Sequence, residues 1–222
     1  VLRGGNLSDA NLSKANLRHA NLQETQFTMA NLQDADLFGA NLQGASLWVA
    51  NLNGANLREA IIQDTKLWQI KLQGANLSST DLHSAKLPKA DLRDANLRKT
   101  NLQDTNLWMA KLQSATLNGA NLKRAILNRA DLHLARLSDA NLQGANLVNA
   151  NLLNANLENA NLRGVDLSGA TMEGAVVNGA TFDEDTKLPD DTYWTPDTDV
   201  LRFTKPDHPN FWRPAFKYSP PQ

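Results

Sequence analysis

The side chains of this sequence with chemistry to offer are four histidines, five tryptophans and a regular succession of Asn, Asp and Gly. A metal centre would need several His or carboxylate ligands converging on one point. A nucleophilic centre would need a hydroxyl or thiol beside a base. There is no Cys, which removes disulfides, thiolate metal sites and thiol catalysis and leaves the compartment open. Ser, His and Asp are present but scattered, and the glycines recur at intervals of five rather than clustering as a phosphate loop. The Asn-Leu-Ser triplets at Asn6, Asn11 and Asn76 arise automatically from the repetition and carry no information as glycosylation sites.

Composition narrows the classes further. The 222 residues carry 22 Lys+Arg against 23 Asp+Glu, a net charge of −1, so nothing points to nucleic acid or an anionic membrane. No stretch approaches the roughly 18 consecutive apolar residues of a spanning helix, so this segment is not expected to insert into a membrane. The chain starts at Val1 with the repeat already in phase at Leu2. This start predicts missing upstream sequence, and with it any targeting segment or membrane anchor.

The elements that must position these side chains follow from one period. Every fifth residue from Leu2 to Phe182 is apolar, and 32 of the 37 are Leu. Two residues earlier, 28 of 36 positions from Gly5 to Ala180 are Ala. On an α-helix a step of five scatters the leucines around the cylinder, and on a strand an odd step alternates faces. The pattern works only if the chain turns once per unit, so that each Leu points at a common axis. Eleven of the 12 glycines stand two residues after the central apolar residue, and the one proline in the repeats, Pro88, stands just before that position. Proline second and glycine third predicts a type II turn.

The run Ala140–Leu147, Ala-Asn-Leu-Gln-Gly-Ala-Asn-Leu, resembles the pentapeptide-repeat family, and the resemblance covers residues 1–184. It implies an all-β fold, a right-handed quadrilateral β-helix with four units per coil. At that count the chain would make about nine coils, a rod roughly 45 Å long at ~4.8 Å per coil. The abundant Asn is expected to be structural, hydrogen-bonding from coil to coil. The departure comes after about Glu184: residues 185–222 hold seven of the eight prolines together with Trp194 and Trp212. The five-residue register is lost there. This tail looks like those of family members from photosynthetic bacteria. Part of it is expected to cap the last coil through Trp194 or Trp212, the rival reading being a peptide motif for a partner.

Twenty residues per coil, as the resemblance implies, makes residues 20 apart stacked neighbours. His19, His83 and His133 then fall on different columns and cannot share a metal ion, so neither metal nor cofactor is expected. Trp48, Trp68 and Trp108 fall on one column, interrupted by Pro88. The adjacent column holds Met29, Val49 and Met109. Together they predict an outward apolar stripe, and such a patch usually marks a contact site, with Trp a favoured anchor. The competing readings are aromatics that stabilise their own face, or a stripe covered by the tail. A further column (Asn51, Lys71, Asp91, Lys111, Asp131, Asn151) predicts a salt-bridge ladder, and Gln23, Gln43, Gln63, His83, Gln103, Lys123, Gln143 a polar one.

The functional expectation is a non-catalytic scaffold that binds an unidentified protein partner through the Trp stripe. One alternative is the repeat domain of a longer, membrane-anchored protein. Another is a DNA mimic that binds topoisomerase, which the balanced charge disfavours. Oligomeric state is left open. So is the compartment, between cytoplasm and, with an N-terminal segment removed, periplasm or lumen.

Overall fold

A computed structural model describes residues 2–213. Val1 and the last part of the tail, 214–222, lie outside the described residues. The chain folds as a right-handed quadrilateral β-helix. Parallel bridges join residues 20 apart, from Asn6↔Gln26 to Asn161↔Thr181, so four five-residue units close each coil.

Each unit is a corner followed by a short straight side. At every corner from Gly4 to Gly179 the third residue has positive φ, between 52° and 70°. The amide three positions past the corner's first residue closes the turn, as in Ala10 N–H to Leu7 O at 3.1 Å. This is the geometry that a glycine in third position serves without strain, and Asn or Asp at small cost. The two inward residues of each unit bury together: from Phe27 to Leu167 the central residue is always buried, as is its small partner two residues earlier. Fully burying one Leu contributes about 2 kcal/mol, but only where coils lie above and below it, so stability is a property of the stack.

Asn serves twice. Its Oδ1 accepts the amide N–H two residues on, as Asn31 does from Gln33 at 3.2 Å, and its Nδ2 donates to the Asn one coil earlier, as Asn51 does to Asn31 at 3.1 Å. Threonines in the small position solve a different problem. Buried among leucines, the hydroxyls of Thr25, Thr80 and Thr100 each donate to a Leu carbonyl of the previous coil at 2.8–2.9 Å.

The ladder is uniform except at one seam. Among the described residues, the amides of Glu59, Ile62, Asp64 and Leu67 lack the carbonyls of Ser78, Asp81, His83 and Lys86 that the register assigns them, and those of Asp81 and Lys86 lack Ala60 and Thr65. Thr65, Ile70 and Thr80 put extra volume into this region where Ala is the rule, and overfilling a close approach displaces backbone. Thr65 Oγ1 instead bonds within its own turn, to Ile62 O at 2.6 Å. A void of about 10 Å³ lined by leucines and by Ile62 and Ile70 lies at this level.

At the C-terminal end the register shifts by one residue and resumes. Lys187 pairs with Asp166, 21 residues earlier, and Leu188 is buried as a central residue would be. The ladder thus runs past the point where the five-residue frame ends in the sequence, because one residue is inserted at the Asp183–Asp185 corner. Lys187 then pairs antiparallel with Tyr193. A single helical turn, α1 (Leu201–Thr204), follows, and Thr204 O accepts the amide of Gly174 at 2.7 Å.

Candidate partner-binding face

The corners of the rod point two side chains outward, and one line of corners carries the tryptophans. Its position just after the central Leu turns Trp48 and Trp68 into solvent, 46% and 41% exposed. Their rings meet edge to face, centroids 6.2 Å apart and planes at 60°. Trp108 is half-buried, with the Lys89 ammonium 5.5 Å from its ring centroid. Met29 is exposed, while Val49 and Met109 are half-buried. Pro88 sits between Trp68 and Trp108 on the column, so the indoles form an edge-to-face pair and a separate third ring. Val49 holds φ 58°, a conformation that a β-branched residue adopts only under strain.

Two straight sides flank this corner, one on each side. Their centres read Ser46, Lys66, Lys86, Asn106 on one side and Asn51, Lys71, Asp91, Lys111 on the other. The expected salt-bridge ladder along the second does not form. Asp91 is taken by Arg93 of its own unit, through Nε at 2.7 Å and Nη2 at 2.6 Å. Partial burial works to raise the Asp91 carboxyl, but these bonds outweigh it and hold it below the usual carboxylate range. Asp131 is buried and accepts from Gln113 at 2.6 Å and Asn151 at 2.8 Å. The physical reason is reach: a neighbouring Arg fork or amide meets the carboxylate more squarely than a long lysine one coil away. Lys66, Lys71, Lys86 and Lys111 consequently make no ion pair among the described residues. The glutamine column bonds from Gln23 to Gln43 at 3.4 Å, after which Gln63 and Gln103 turn to Asp81 and Asp104.

The two tail tryptophans lie elsewhere. Trp194 stacks on Phe182 at 6.2 Å with planes 13° apart, and Trp212 meets Phe203 edge-on at 5.8 Å. Phe203, 2% exposed, is the side chain that sequence reasoning missed, and Trp194 and Trp212 pack against the same core. Arg202 pairs with Asp190 and fixes α1 to the turn after Leu188. One signal in the sequence pointed here: Asp185-Thr186-Lys187-Leu188 repeats Asp64-Thr65-Lys66-Leu67 letter for letter.

The pentapeptide repeats family model matches residues 1–34, 30–69, 75–107, 109–144 and 135–174. Among solved structures, the chain is similar to HetL, a pentapeptide repeat protein involved in heterocyst differentiation regulation from the cyanobacterium Nostoc sp. strain PCC 7120. The two are 34% identical over 86% of each chain, with a TM-score of 0.84. The pentapeptide repeat protein Rfr23 from Cyanothece 51142 is 44% identical over 45% of this chain and 64% of its own, TM-score 0.41. A thylakoid-lumen pentapeptide repeat protein from Arabidopsis thaliana is 30% identical over 43% and 63%, TM-score 0.34. No curated protein matches. With the twenty-residue coil, the corner geometry and these similarities in agreement, the chain belongs to the pentapeptide repeat family.

Proposed function

We propose that this chain is a non-catalytic scaffold that binds a protein partner through the corner carrying Trp48, Trp68 and Trp108. The observation that carries the reading is the exposure of Trp48 and Trp68, 46% and 41%, one above the other on the same corner. Two large aromatics left in water side by side favour contact with another protein. The described part of the tail packs on the units from Leu162 onward, which favours this reading over one in which the tail covers the stripe. Similarity to HetL, a protein of differentiation regulation, supports a role exercised by contact rather than by turnover. The same reading treats residues 185–213 as a cap: Phe203, Trp194 and Trp212 cover apolar cross-section that a solenoid must not leave open.

The test is affinity capture from the source cell with wild type and with Trp48, Trp68 and Trp108 changed together to Gln. Circular dichroism verifies that the variant keeps its β-signal. A partner held by wild type and lost by the folded variant is expected; equal capture by both would sink the reading.

A further inference from the structure

The straight sides of this rod are built around Asn and Asp, because a short acceptor at the centre of the side bonds the amide two residues on. Lysine cannot do this. Yet four side centres within residues 1–184 are lysine, and all four (Lys66, Lys86, Lys71 and Lys111) fall on the two columns that flank the Trp corner. The other two columns of side centres hold none. The substitution has a visible cost: the amides of Trp68 and Gln113, which an Asn at 66 and 111 would satisfy, have no partner within the chain among the described residues. Lys66 and Lys86 are also bridged directly one above the other, a like-charge stacking that opposes itself. Among the described residues the orphaned amide alone is not peculiar to this corner, since those of Gln63, Asn118, Asn128 and Ser138, past Ile61, Thr116, Ile126 and Arg136, lack the same bond. What is peculiar is that the replacements on both flanking columns are lysine and that two of them stack, and a local rule broken in this way marks a place under functional demand.

From this we infer that the Trp corner receives an acidic, apolar-containing extended segment of a partner protein, its apolar side chains against the indoles and its carboxylates on the flanking lysines. The inference rests on the reading of that corner as the partner-binding face. Charge complementarity selects the occupant. The carboxylates on the same columns, Asp91, Asp131 and Asp166, are already engaged inside the chain, and Asp166 stands three coils beyond Asn106, so what the corner offers outward is ammonium and indole. Lys66, Lys71 and Lys86 are exposed, and Lys111 is half-exposed. Over the coils from Trp48 to Trp108, about 14 Å at the strand spacing, the positive groups lie on both sides of an apolar line. A protein segment fits better than a polyanion. The net charge of −1 gives the rod no long-range pull on nucleic acid or anionic lipid, and Trp48 and Trp68 pack on one another rather than standing apart to sandwich bases.

The experiment compares wild type, the Trp triple variant and a variant with Lys66, Lys71, Lys86 and Lys111 all changed to Asn. Asn is the residue that the rod uses elsewhere at these positions, so a loss of binding cannot be put down to misfolding. The probes are a fluorescein-labelled peptide alternating Glu with Leu or Phe, its Gln-for-Glu counterpart, oligothymidylate, and phosphatidylserine vesicles. The Glu peptide is expected to bind wild type and to weaken about tenfold with either variant. It is also expected to weaken on raising salt from about 50 to about 300 mM, and the Gln peptide to bind less. Absence of Glu-peptide binding, or equal binding to the lysine variant, would overturn the inference. So would tighter lysine-dependent binding of oligothymidylate or vesicles. The cell partner distinguishes the two levels: retained by the folded lysine variant but lost by the Trp variant, it removes the acidic class alone. Retained by both, it removes the face itself.

Discussion

Lys66 and Lys86 occupy successive rungs of one ladder, paired in parallel register, where nearly every comparable pair elsewhere includes a short polar acceptor. The amide of Trp68, two residues past Lys66, is left without a partner in the chain among the described residues. Lys66→Asn should therefore stabilise the fold by about 1 kcal/mol, the usual net worth of one hydrogen bond, and Lys111→Asn likewise through Gln113. Lys86→Asn should gain less, since residue 88 is proline and has no N–H to satisfy. Urea midpoints of the three single variants check the order; a Lys86→Asn gain as large as the other two would refute the explanation.

Arg124 clasps Asp104 one coil below through Nε–Oδ1 at 2.7 Å and Nη2–Oδ2 at 2.6 Å. Arg124 is the main cause that holds the Asp104 carboxyl down to about 2 from its usual 3.8. A carboxylate with a depressed folded value contributes stability that is present above its unfolded value and is lost as pH falls through the folded one. Wild type should thus exceed Asp104→Asn in thermal midpoint at neutral pH. The difference should close between about pH 4 and pH 2, the window that linkage sets. A difference that stays constant across that window would assign the effect to packing.

Phe203→Ala removes a ring that is 2% exposed, a change that typically costs about 3–5 kcal/mol. In a solenoid the loss should remain near the end that it covers. The amide of Gly174, which donates to Thr204 O, should lose hydrogen-exchange protection while that of Leu92 in mid-rod keeps its own. Uniform loss along the rod would show the coils to unfold as one unit.

The seam gives the fourth expectation. The amides of Ile62, Asp64 and Leu67 lack their ladder partners, whereas Leu42, Gly44 and Leu47 one coil earlier have theirs. Native-state exchange should be faster at the first three than at the second three, since local opening follows missing bonds. Replacing Thr65 and Ile70 together by Ala should narrow the gap; faster exchange after that replacement would mean that bulk does not open the seam.

The rod was legible because its signal is repeated: Leu at the fifth place, Ala two before it, Gly two after. Each unit restates the same packing problem, so single departures such as Phe27 or Ile62 do not hide the period. The tail was not legible in the same way. One inserted residue near Asp183 breaks the count, although Asp185-Thr186-Lys187-Leu188 carries the old pattern, and Phe203 has no repeated neighbour to announce its burial. Side-chain pairing was misread for a related reason. Stacking by twenty places Lys71 beside Asp91, but the Arg93 fork lies on the same unit and reaches the carboxylate more squarely. The Trp column could be read from the sequence once a coil length was in hand. The lysines beside it stood on the expected columns, yet their freedom from carboxylates is a fact of three-dimensional reach.

An unbroken frame turns residue number into an address. Position modulo twenty is azimuth, and the whole number of twenties is height along the axis. Deleting twenty residues from mid-rod would bring the Trp corner closer to the C-terminal end without rotating either. Deleting five would swing everything beyond the cut by a quarter turn, as a crankshaft does. The insertion near Asp183 is absorbed at a corner, because Lys187 still lands above Asp166. The bearing of the tail relative to the Trp corner is therefore fixed by counting alone, and such a chain can change its length in evolution by whole coils while leaving its partners' orientation untouched.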